Sequence, residues 1–301
     1  MVSEETYLFN YIVDEHYEGT IYDYLRNNHE YSSRLISSII RDGSLLLNGV
    51  EVKFKSLCQG FDEILVQFPM EYPDCESVDI ELDIIHEDAD IIVLNKQPGI
   101  VVHPTKSHQK DTLANAIYYH WEEKRHIGKI RFVTRIDMDT SGIVIGAKNK
   151  YAHHFIQKNF SSYGSKIYYA IVQGRPDNDE GIIDAPIGRE EYMSMKRVVR
   201  EDAKQSVTEY RIVEHYGEYS LLKLKLLTGR THQIRVHLDY IGCPIISDSL
   251  YNTSLNELIN RQALHAGEVD FIHPRSKQKV NFVAAFPHDF YNALRILKKQ
   301  Y

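Results

Sequence analysis

Apolar and polar positions alternate through the first third of the chain in short, distinct patterns. Ile21, Tyr24 and Leu25 recur at offsets of three and four, which predicts a helix over IYDYLRNN. The next segment, YSSRLISSIIRDG, predicts a second helix, because its apolar residues fall on one face. Ser32 or Ser33 is its expected N-cap and Gly43 its expected end. Two apolar runs around Asn48-Gly49 then predict a β-hairpin over SLLLNGVEVKF.

A polar stretch separates this small unit from the rest. Residues 69–82, PMEYPDCESVDIEL, contain two prolines and have the composition of a linker. We therefore predict a small domain over residues 1–75, with its core at about residues 19–68, and a large domain over 76–301.

The large domain has short, β-branched apolar runs, such as IIVL at 91–94 and GIVIGA at 142–147. Helical stretches at residues 112–121 and 150–159 lie between such runs. This mixture predicts an α+β fold with sheet strands and peripheral helices.

Composition adds constraints on the class of protein. Its 43% hydrophobic and 26% charged residues are ordinary for a soluble globular protein. The acidic N-terminus MVSEETYLFNYIVDE is expected to be neither a signal peptide nor a membrane anchor. The three cysteines form no CxxC pair, which argues against a zinc ribbon or a disulfide framework. A cytoplasmic location is the expectation.

Charge is distributed unevenly. The whole chain carries −7, but Glu122 to Arg175 contains ten Lys/Arg and four Asp/Glu, a local +6 that leaves −13 for the rest. A basic segment of this kind can bind phosphate locally. It can equally be a solvated charged face, and charge alone favours that interpretation.

Three segments place reactive side chains next to turns or on strands. RFVTRIDMDTSGIVIGAKN puts Asp137 between Arg135 and a Thr-Ser-Gly turn, which can direct one carboxylate into a cleft. A turn-capping aspartate is the commoner alternative. In SKIYYAIVQG, Tyr168 shares a strand face with Lys166, although a lone strand tyrosine is usually core packing. NKQPGIVVHP is explained locally by a strand, a Pro98-Gly99 turn and a second strand ending at His103-Pro104.

A fourth segment, LKLLTGRTHQIRVHLDYIGCPIISDSLY, is rich in arginine and histidine. His232 and His237 are five residues apart, whereas a helical zinc pair is four apart, and no HExxH motif or cysteine partner accompanies them. We therefore predict no metal site.

Taken together, these segments resemble RluA-type RNA pseudouridine synthases. VTRIDMDTSG is similar to the HRLDxxTSG motif of that family, KIYYAIVQG to KxYxAxVxG, and TGRTHQIRVHLDYIGCPIISD to TGRTHQIRxHxxxxGxPIxGD. NKQPGIVVHP and RQALHA at 261–266 are similar to its opening and late elements. The sequence departs from the pattern at four positions, which we interpret as subgroup variation: Gln97, Thr134 for the usual histidine, Ile136 for leucine and Ser247 for glycine.

The resemblance implies a function and roles for particular residues. It implies isomerisation of uridine to pseudouridine in structured RNA, with large-subunit ribosomal RNA as the expected substrate and transfer RNA as the alternative. It implies a mixed, mostly antiparallel central sheet, no cofactor, no membrane association and no obligate protein partner. Asp137 would be the catalytic carboxylate, Arg235 its cationic partner, Tyr168 the platform for uracil and Arg135 a contact to the substrate RNA. Arg230 is a further candidate RNA contact.

The small unit resembles the S4 RNA-binding module, which is usual in front of this catalytic domain. Arg34 and Arg41, seven residues apart, would present their charges on one helix face, with Lys53 beside them. An unrelated packing unit of two helices is the alternative. Two other functions compete for the whole chain: an RNA-binding protein with an inactive synthase domain, and a metal-dependent hydrolase. The intact Asp137, Tyr168 and Arg235 argue against the first, and the histidine spacing argues against the second.

Overall fold

A computed structural model describes residues 6–252 and 256–300 of the chain. Its N-terminal part is a small two-layer unit. Helices α1 (Ile21–Asn27) and α2 (Ser33–Asp42) accompany six strands: β1 (Leu8–Ile12), β2 (Glu18–Thr20), β3 (Ser44–Leu47), β4 (Val50–Glu51), β5 (Leu57–Gln59) and β6 (Glu63–Gln67). Four of the strands form a sheet in the order β1-β6-β3-β4, and β2 pairs with β5.

Local sequence signals explain this unit. The Ser32 side chain accepts a hydrogen bond from the Leu35 amide and caps α2, which ends before Gly43. Asn48 and Gly49 both have positive φ, at 50° and 80°, as a two-residue turn between right-twisted strands requires. The predicted helices and hairpin are therefore present.

The segment between the two units is fixed rather than free. Glu71 forms ion pairs with Arg131 at 2.7 Å and with Lys150 at 2.9 Å. Asp74 pairs with Lys129 at 2.8 Å and accepts a hydrogen bond from the Tyr118 hydroxyl at 2.7 Å. Both acidic residues thus attach the linker to the large unit.

The large unit is built on one ten-stranded sheet. Its strands are β7 (Ile84–Glu87), β8 (Ile91–Lys96), β9 (Arg131–Phe132), β10 (Ser141–Ala147), β11 (Ser165–Gln173), β12 (Glu180–Asp184), β15 (Val207–Tyr216), β16 (Tyr219–Leu226), β17 (Leu264–Ile272) and β18 (Lys279–Val283). The order is β12-β15-β16-β11-β17-β10-β8-β7, with β18 on β17 and β9 on β10. A separate hairpin joins β13 (Ile187–Arg189) to β14 (Arg197–Val199).

Four helices pack around this sheet: α3 (Leu113–Glu123), α4 (Lys150–Tyr163), α5 (Gln233–Tyr240) and α6 (His288–Gln300). Among the described strand pairs, β10 and β17 run parallel and the others antiparallel. The predicted α+β class with a mixed, mostly antiparallel central sheet is confirmed. No helix in the described ranges is long and apolar enough to cross a membrane.

The prediction of a second strand after Pro98-Gly99 is wrong. Val101 makes only an isolated bridge to Thr112. The carbonyls of Val101 and Val102 instead accept hydrogen bonds from the amides of Leu113 and Ala114, at 2.9 and 3.2 Å. Because the first amides of a helix have no partner within it, this segment serves to cap α3.

The small unit shares its core with the large one. Tyr151 and Phe155 of α4 are buried among Phe9, Tyr31 and Phe68. Arg275, which follows β17, lies 4.0 Å over the Phe9 ring and pairs with the buried Asp90 at 2.6 Å. The two units therefore form a continuous apolar contact.

Candidate active site

A cavity of about 600 Å³ opens beside the loop that joins β9 to β10. Its lining includes five residues that were singled out in the sequence: Arg135, Asp137, Tyr168, Arg230 and Arg235. They come from segments almost a hundred residues apart. The fold thus brings together the side chains of three separate motifs.

Lys96 fixes the loop that carries Asp137 from one side. Its buried Nζ donates to the carbonyls of Met138 at 2.7 Å, Gln97 at 2.8 Å and Ile100 at 2.9 Å. The Gly99 amide also donates to Met138 O, at 3.0 Å. Burial lowers the pKa of Lys96 to about 7, while three carbonyl acceptors favour the charged ammonium.

The late RQALHA segment fixes the same loop from the other side. Arg261 Nη1 donates to Asp139 O at 2.8 Å, and Gln262 Nε2 donates to Thr140 Oγ1 at 2.9 Å. His265 Nδ1 lies 3.0 Å from Ser141 Oγ. This explains why that segment accompanies the Asp137 motif although it lies more than a hundred residues away.

Thr134 closes the start of the loop. Its buried hydroxyl accepts a hydrogen bond from the Ile145 amide at 2.9 Å. The threonine at this departure from the family pattern therefore secures the loop to β10.

Arg235 joins two carboxylates. Its Nη1 donates to Asp137 Oδ2 at 2.9 Å, and its Nε and Nη2 donate to the two oxygens of Asp248, both at 2.7 Å. The Asp248 side chain is fully buried, whereas 30% of the Asp137 side chain is exposed. Asp248 thus holds the guanidinium plane by a two-pronged pair and leaves Nη1 to donate to Asp137.

Electrostatics keep this arginine charged. Burial opposes its charge, but the hydrogen bonds and negative charge of Asp248 and Asp137 outweigh burial and raise the pKa of Arg235 above its ordinary value. A permanent cation therefore lies beside the Asp137 carboxylate.

Gln233 shapes the turn that leads into α5. Its Oε1 accepts from the Thr228 hydroxyl at 2.9 Å and from the Arg230 amide at 3.0 Å. Its Nε2 donates to Val207 O and to Thr208 Oγ1, both at 3.0 Å. The polar residues of the TGRTHQIR segment are thus used largely to build the turn that presents Arg235.

The two histidines of this segment have different environments. His237 is buried, with Nδ1 2.9 Å from Thr208 Oγ1 and Nε2 3.0 Å from Ala185 O, which is a structural role. His232 lines the cavity, and its Nε2 lies 3.8 Å from Asp137 Oδ2. In the sequence, His232 stands out only as a candidate metal ligand, and no local pattern indicates its position beside the carboxylate.

Tyr168 lies in the middle of β11, paired with Leu224 on β16 and Ala266 on β17. It is buried, yet it lines the cavity. Burial and the charge of Asp137 raise the pKa of its phenol, which keeps it neutral at physiological pH. The side chain therefore offers an uncharged aromatic surface near the carboxylate.

Three predicted RNA contacts lie elsewhere. Arg34, Arg41 and Lys53 are exposed on the small unit and do not line the cavity. Arg41 also pairs with Asp42 at 2.6 Å.

The basic segment 122–175 is largely neutralised in the fold. Seven of its ten cations form ion pairs, all with acidic residues from outside the segment: Lys124, Lys129, Arg131, Lys148, Lys150, Lys158 and Arg175. Its excess positive charge is therefore used mainly for internal pairing, whereas Arg135 and Lys166 line the cavity.

One group in the described ranges has the spacing of metal ligands. Asp88, Asp90 and His273 each place a ligand atom within 4.8 Å of the others. However, Arg275 donates to both oxygens of Asp90, and His86 and His273 both contact Asp88 Oδ2 at 2.9 Å. These partners already bind Asp88 Oδ2 and both oxygens of Asp90, so we interpret the cluster as a structural network of hydrogen bonds and ion pairs.

Comparisons with known proteins agree with this site. Residues 90–240 match the RNA pseudouridylate synthase family. The uncharacterised RNA pseudouridine synthase YlyB of Bacillus subtilis is 37% identical over 275 residues, which cover 90% of this chain and 91% of that protein. The ribosomal large subunit pseudouridine synthase D of Pseudomonas aeruginosa is 33% identical over 285 residues, with 90% and 89% covered.

A solved structure supports the fold independently. Human RNA pseudouridylate synthase domain containing 4 superposes with a TM-score of 0.60 at 24% identity, over 72% of this chain and 93% of that one. The extent of the sequence matches confirms the resemblance drawn from the motifs: the chain belongs to the RNA pseudouridine synthase family, whose members are isomerases that act on RNA.

Proposed function

We propose that this protein converts specific uridines of large-subunit ribosomal RNA to pseudouridine, with Asp137 as the catalytic carboxylate. The observation that carries the proposal is the position of Asp137: it lies in a cavity, 2.9 Å from a buried arginine and close to a buried tyrosine. Membership of the family supplies the reaction class.

The reaction makes a demand that this arrangement meets. The bond between C1′ and N1 breaks, uracil turns, C1′ bonds to C5, the C5 proton leaves and N1 gains a proton. Bond breaking leaves the sugar electron-deficient, which an ionised carboxylate can stabilise or trap. Arg235 places a cation against Asp137 Oδ2, at 2.9 Å, in a site from which water is partly excluded.

The other cavity residues have roles in holding substrate. The neutral Tyr168 offers a face on which an extruded uracil can stack. Arg135 and Arg230 line the cavity and are suited to phosphate or to the gap that the extruded base leaves.

The names of relatives support ribosomal RNA as the substrate. Pseudouridine synthases D of Pseudomonas aeruginosa and Zymomonas mobilis, 33% and 36% identical, act on the large ribosomal subunit by name. Transfer RNA remains the alternative. Mapping pseudouridines in RNA from a strain that lacks the protein would identify the target, and a lost site in transfer RNA alone would overturn this assignment.

We also propose that residues 1–75 form an S4-like RNA-binding unit. Its support is the exposure of Arg34 and Arg41 on α2 and of Lys53 beside the hairpin. Changing both arginines to glutamine should reduce the slope of log K against log salt by roughly 0.7–0.9 per lost phosphate contact. An unchanged slope would contradict RNA binding by this face, and Arg295→Gln on the exposed side of α6 is the matched control.

The catalytic assignment is tested with ribosomal RNA transcripts carrying tritium at uridine C5, which is released as the product forms. The wild type should release tritium in the presence of EDTA. Asp137→Asn, which keeps the size and hydrogen bonds but not the charge, should abolish release while retaining the melting temperature. Retention of even about a tenth of the rate would overturn the assignment of Asp137. RNA binding without release by the wild type would instead support a binding-only protein, and release only with added metal a hydrolase-like site.

A further inference from the structure

His232 lines the cavity and has an unusual backbone conformation. It precedes α5 with left-handed backbone angles, φ 57° and ψ 20°, and its side chain makes no capping hydrogen bond to that helix. Residues other than glycine rarely adopt this conformation, and it is concentrated at functional sites. The result is that the imidazole ring projects between Tyr251 and Asp137.

Hydrogen bonds around Tyr251 determine how the imidazole is oriented. The Tyr251 hydroxyl oxygen accepts from the Arg197 amide at 2.9 Å. Its own proton is then available to the other neighbour, His232 Nδ1, at 3.1 Å. When the hydroxyl donates to Nδ1, the ring proton is on Nε2, which lies 3.8 Å from Asp137 Oδ2.

We propose, building on the function proposed above, that Tyr251 and His232 form a positioning relay that directs an N–H at the catalytic carboxylate. Arg235 Nη1 and His232 Nε2 lie 2.9 and 3.8 Å from the same oxygen, Oδ2. Because Arg235 donates to Oδ2 and the His232 ring lies 3.8 Å from the same atom, Oδ1 is the oxygen presented to the sugar. His232 is therefore a positioning residue, which acts through Asp137.

The surrounding charges are consistent with a neutral imidazole. Burial lowers the pKa of His232, the cations Arg235 and Arg197 act in the same direction, and Asp137 and Asp248 oppose them. Lys196 lies 5.9 Å from the Tyr251 ring, Arg235 lies 5.1 Å from it, and Arg230 lines the same cavity. Protonation at acid pH would put a second N–H on Nδ1, and the Tyr251 hydroxyl would then accept this hydrogen bond instead of donating it.

The relay also links the carboxylate to the β13–β14 hairpin. Arg197 is the first residue of β14, and the tip of this hairpin exposes Tyr192, Met193 and Met195. A hairpin displacement would therefore break the Arg197–Tyr251 hydrogen bond and free the tyrosine hydroxyl to reverse.

The first test measures the tautomer directly. In protein with ¹⁵N-labelled histidine, NMR of the substrate-free wild type should show His232 protonated at Nε2 and not at Nδ1. Tyr251→Phe, which keeps the ring but removes the hydroxyl, should shift this balance, and Tyr240→Phe on the exposed end of α5 should not. An Nδ1–H tautomer in the wild type would overturn the relay whatever the RNA activity.

The second test is kinetic and separates positioning from structure. Gln Nε2 can reach the place of imidazole Nε2 whereas Asn cannot, so His232→Gln should retain most of kcat and His232→Asn should lose roughly tenfold or more at unchanged KM. Tyr251→Phe should lower kcat in the wild type but have no further effect in His232→Asn. If protonation of His232 contributes to the fall of kcat at low pH, that contribution should be absent from the pH profile of His232→Gln. His215→Gln, on the exposed side of β15, is the control and should keep the wild-type pH profile.

These outcomes distinguish the relay from the function on which it rests. A wild type without pseudouridine formation would overturn the proposed function. Normal wild-type activity, abolished by Asp137→Asn, together with wild-type kinetics and pH profile in His232→Asn and Tyr251→Phe, would overturn the relay alone.

Discussion

At the scale of single residues, two opposing effects act on the charge of the Lys96 Nζ. Burial disfavours its charge, while three carbonyls require three N–H donors. Its pKa of about 7 lies below the 10.5 of an exposed lysine. The cost of the buried charge is thus present below about pH 7 and is relieved as the pH rises from about 7 towards 10.5.

The stability of the wild type relative to Lys96→Met should therefore increase with pH across this window. The gain has an upper limit of about 1.4 kcal/mol per pH unit. Urea unfolding at several pH values measures it, with Lys55→Met on the exposed surface as control. A stability difference between the wild type and Lys96→Met that does not change with pH would show that the three carbonyls keep Lys96 protonated across this pH range.

Arg235 gives a second prediction at this scale. Arg235→Ala leaves the fully buried Asp248 without its cation, which should cost about 3–5 kcal/mol of unfolding free energy. Adding Asp248→Ala should recover about 1–3 kcal/mol of this loss. Adding Asp137→Ala should recover less, because Asp137 is partly exposed and makes one contact rather than two. Equal recovery in urea unfolding would contradict the dominance of the Asp248 pair.

Some of these residues are predictable from the sequence and others are not. Asp137, Tyr168 and Arg235 were found because each lies in a motif whose pattern carries its chemistry. Lys96 was in a motif too, but its role depends on contact with Met138, forty-two positions away. His232 was missed because its distance to Asp137 is created by the left-handed backbone that ends the preceding turn.

At the scale of elements, the start of β10 lies very close to the backbone of its neighbour β17. Gly142 has φ +110°, and a Cβ there would lie 2.2 Å from the carbonyl oxygen of Ala266 on β17. Gly142→Ala should therefore strain the parallel β10–β17 pairing, lower stability by more than about 2 kcal/mol and displace the loop of Asp137. Thermal unfolding and tritium release measure the two effects.

Gly229→Ala is the matched control for stability. A Cβ at Gly229 meets no atom within 4 Å, and its φ lies outside the left-handed region. Its melting temperature should equal that of the wild type. If Gly142→Ala were as stable as this control, the close approach of β10 and β17 would not constrain the loop.

Element types were more predictable than their connections. Ser32 at the start of α2 and Asn48-Gly49 in the hairpin are local signals, and both act as expected. The strand predicted after Pro98-Gly99 failed because its carbonyls cap α3. The hydrophobic pattern does not show whether a backbone carbonyl bonds to a neighbouring strand or to the first amides of a helix.

At the scale of the whole molecule, the small unit is more than an appendage. Tyr151 and Phe155 of the large unit are buried in its core, and Arg275 lies between Phe9 and Asp90. Removal of residues 1–75 should expose both aromatic side chains and leave Arg275 without its aromatic contact. We expect a lower melting temperature and self-association, measured by thermal unfolding and light scattering.

This changes how the deletion can be used. A loss of activity in the truncated chain would not separate RNA binding from stability. The paired change of Arg34 and Arg41 to glutamine leaves the interface closed and is the better test of RNA binding. A truncated chain that remained monomeric with the wild-type melting temperature would contradict the shared core.

The shared core also has a consequence for synthesis of the chain. The strands and helices of the small unit are complete by Gln67, but two of its core residues, Tyr151 and Phe155, are made almost ninety positions later. At about 5–20 residues per second, a ribosome needs on the order of ten seconds to cover that distance. During this interval the nascent small unit exposes the surface around Phe9, Tyr31 and Phe68. The N-terminal unit is therefore expected to be a client of chaperones on the ribosome until α4 has emerged.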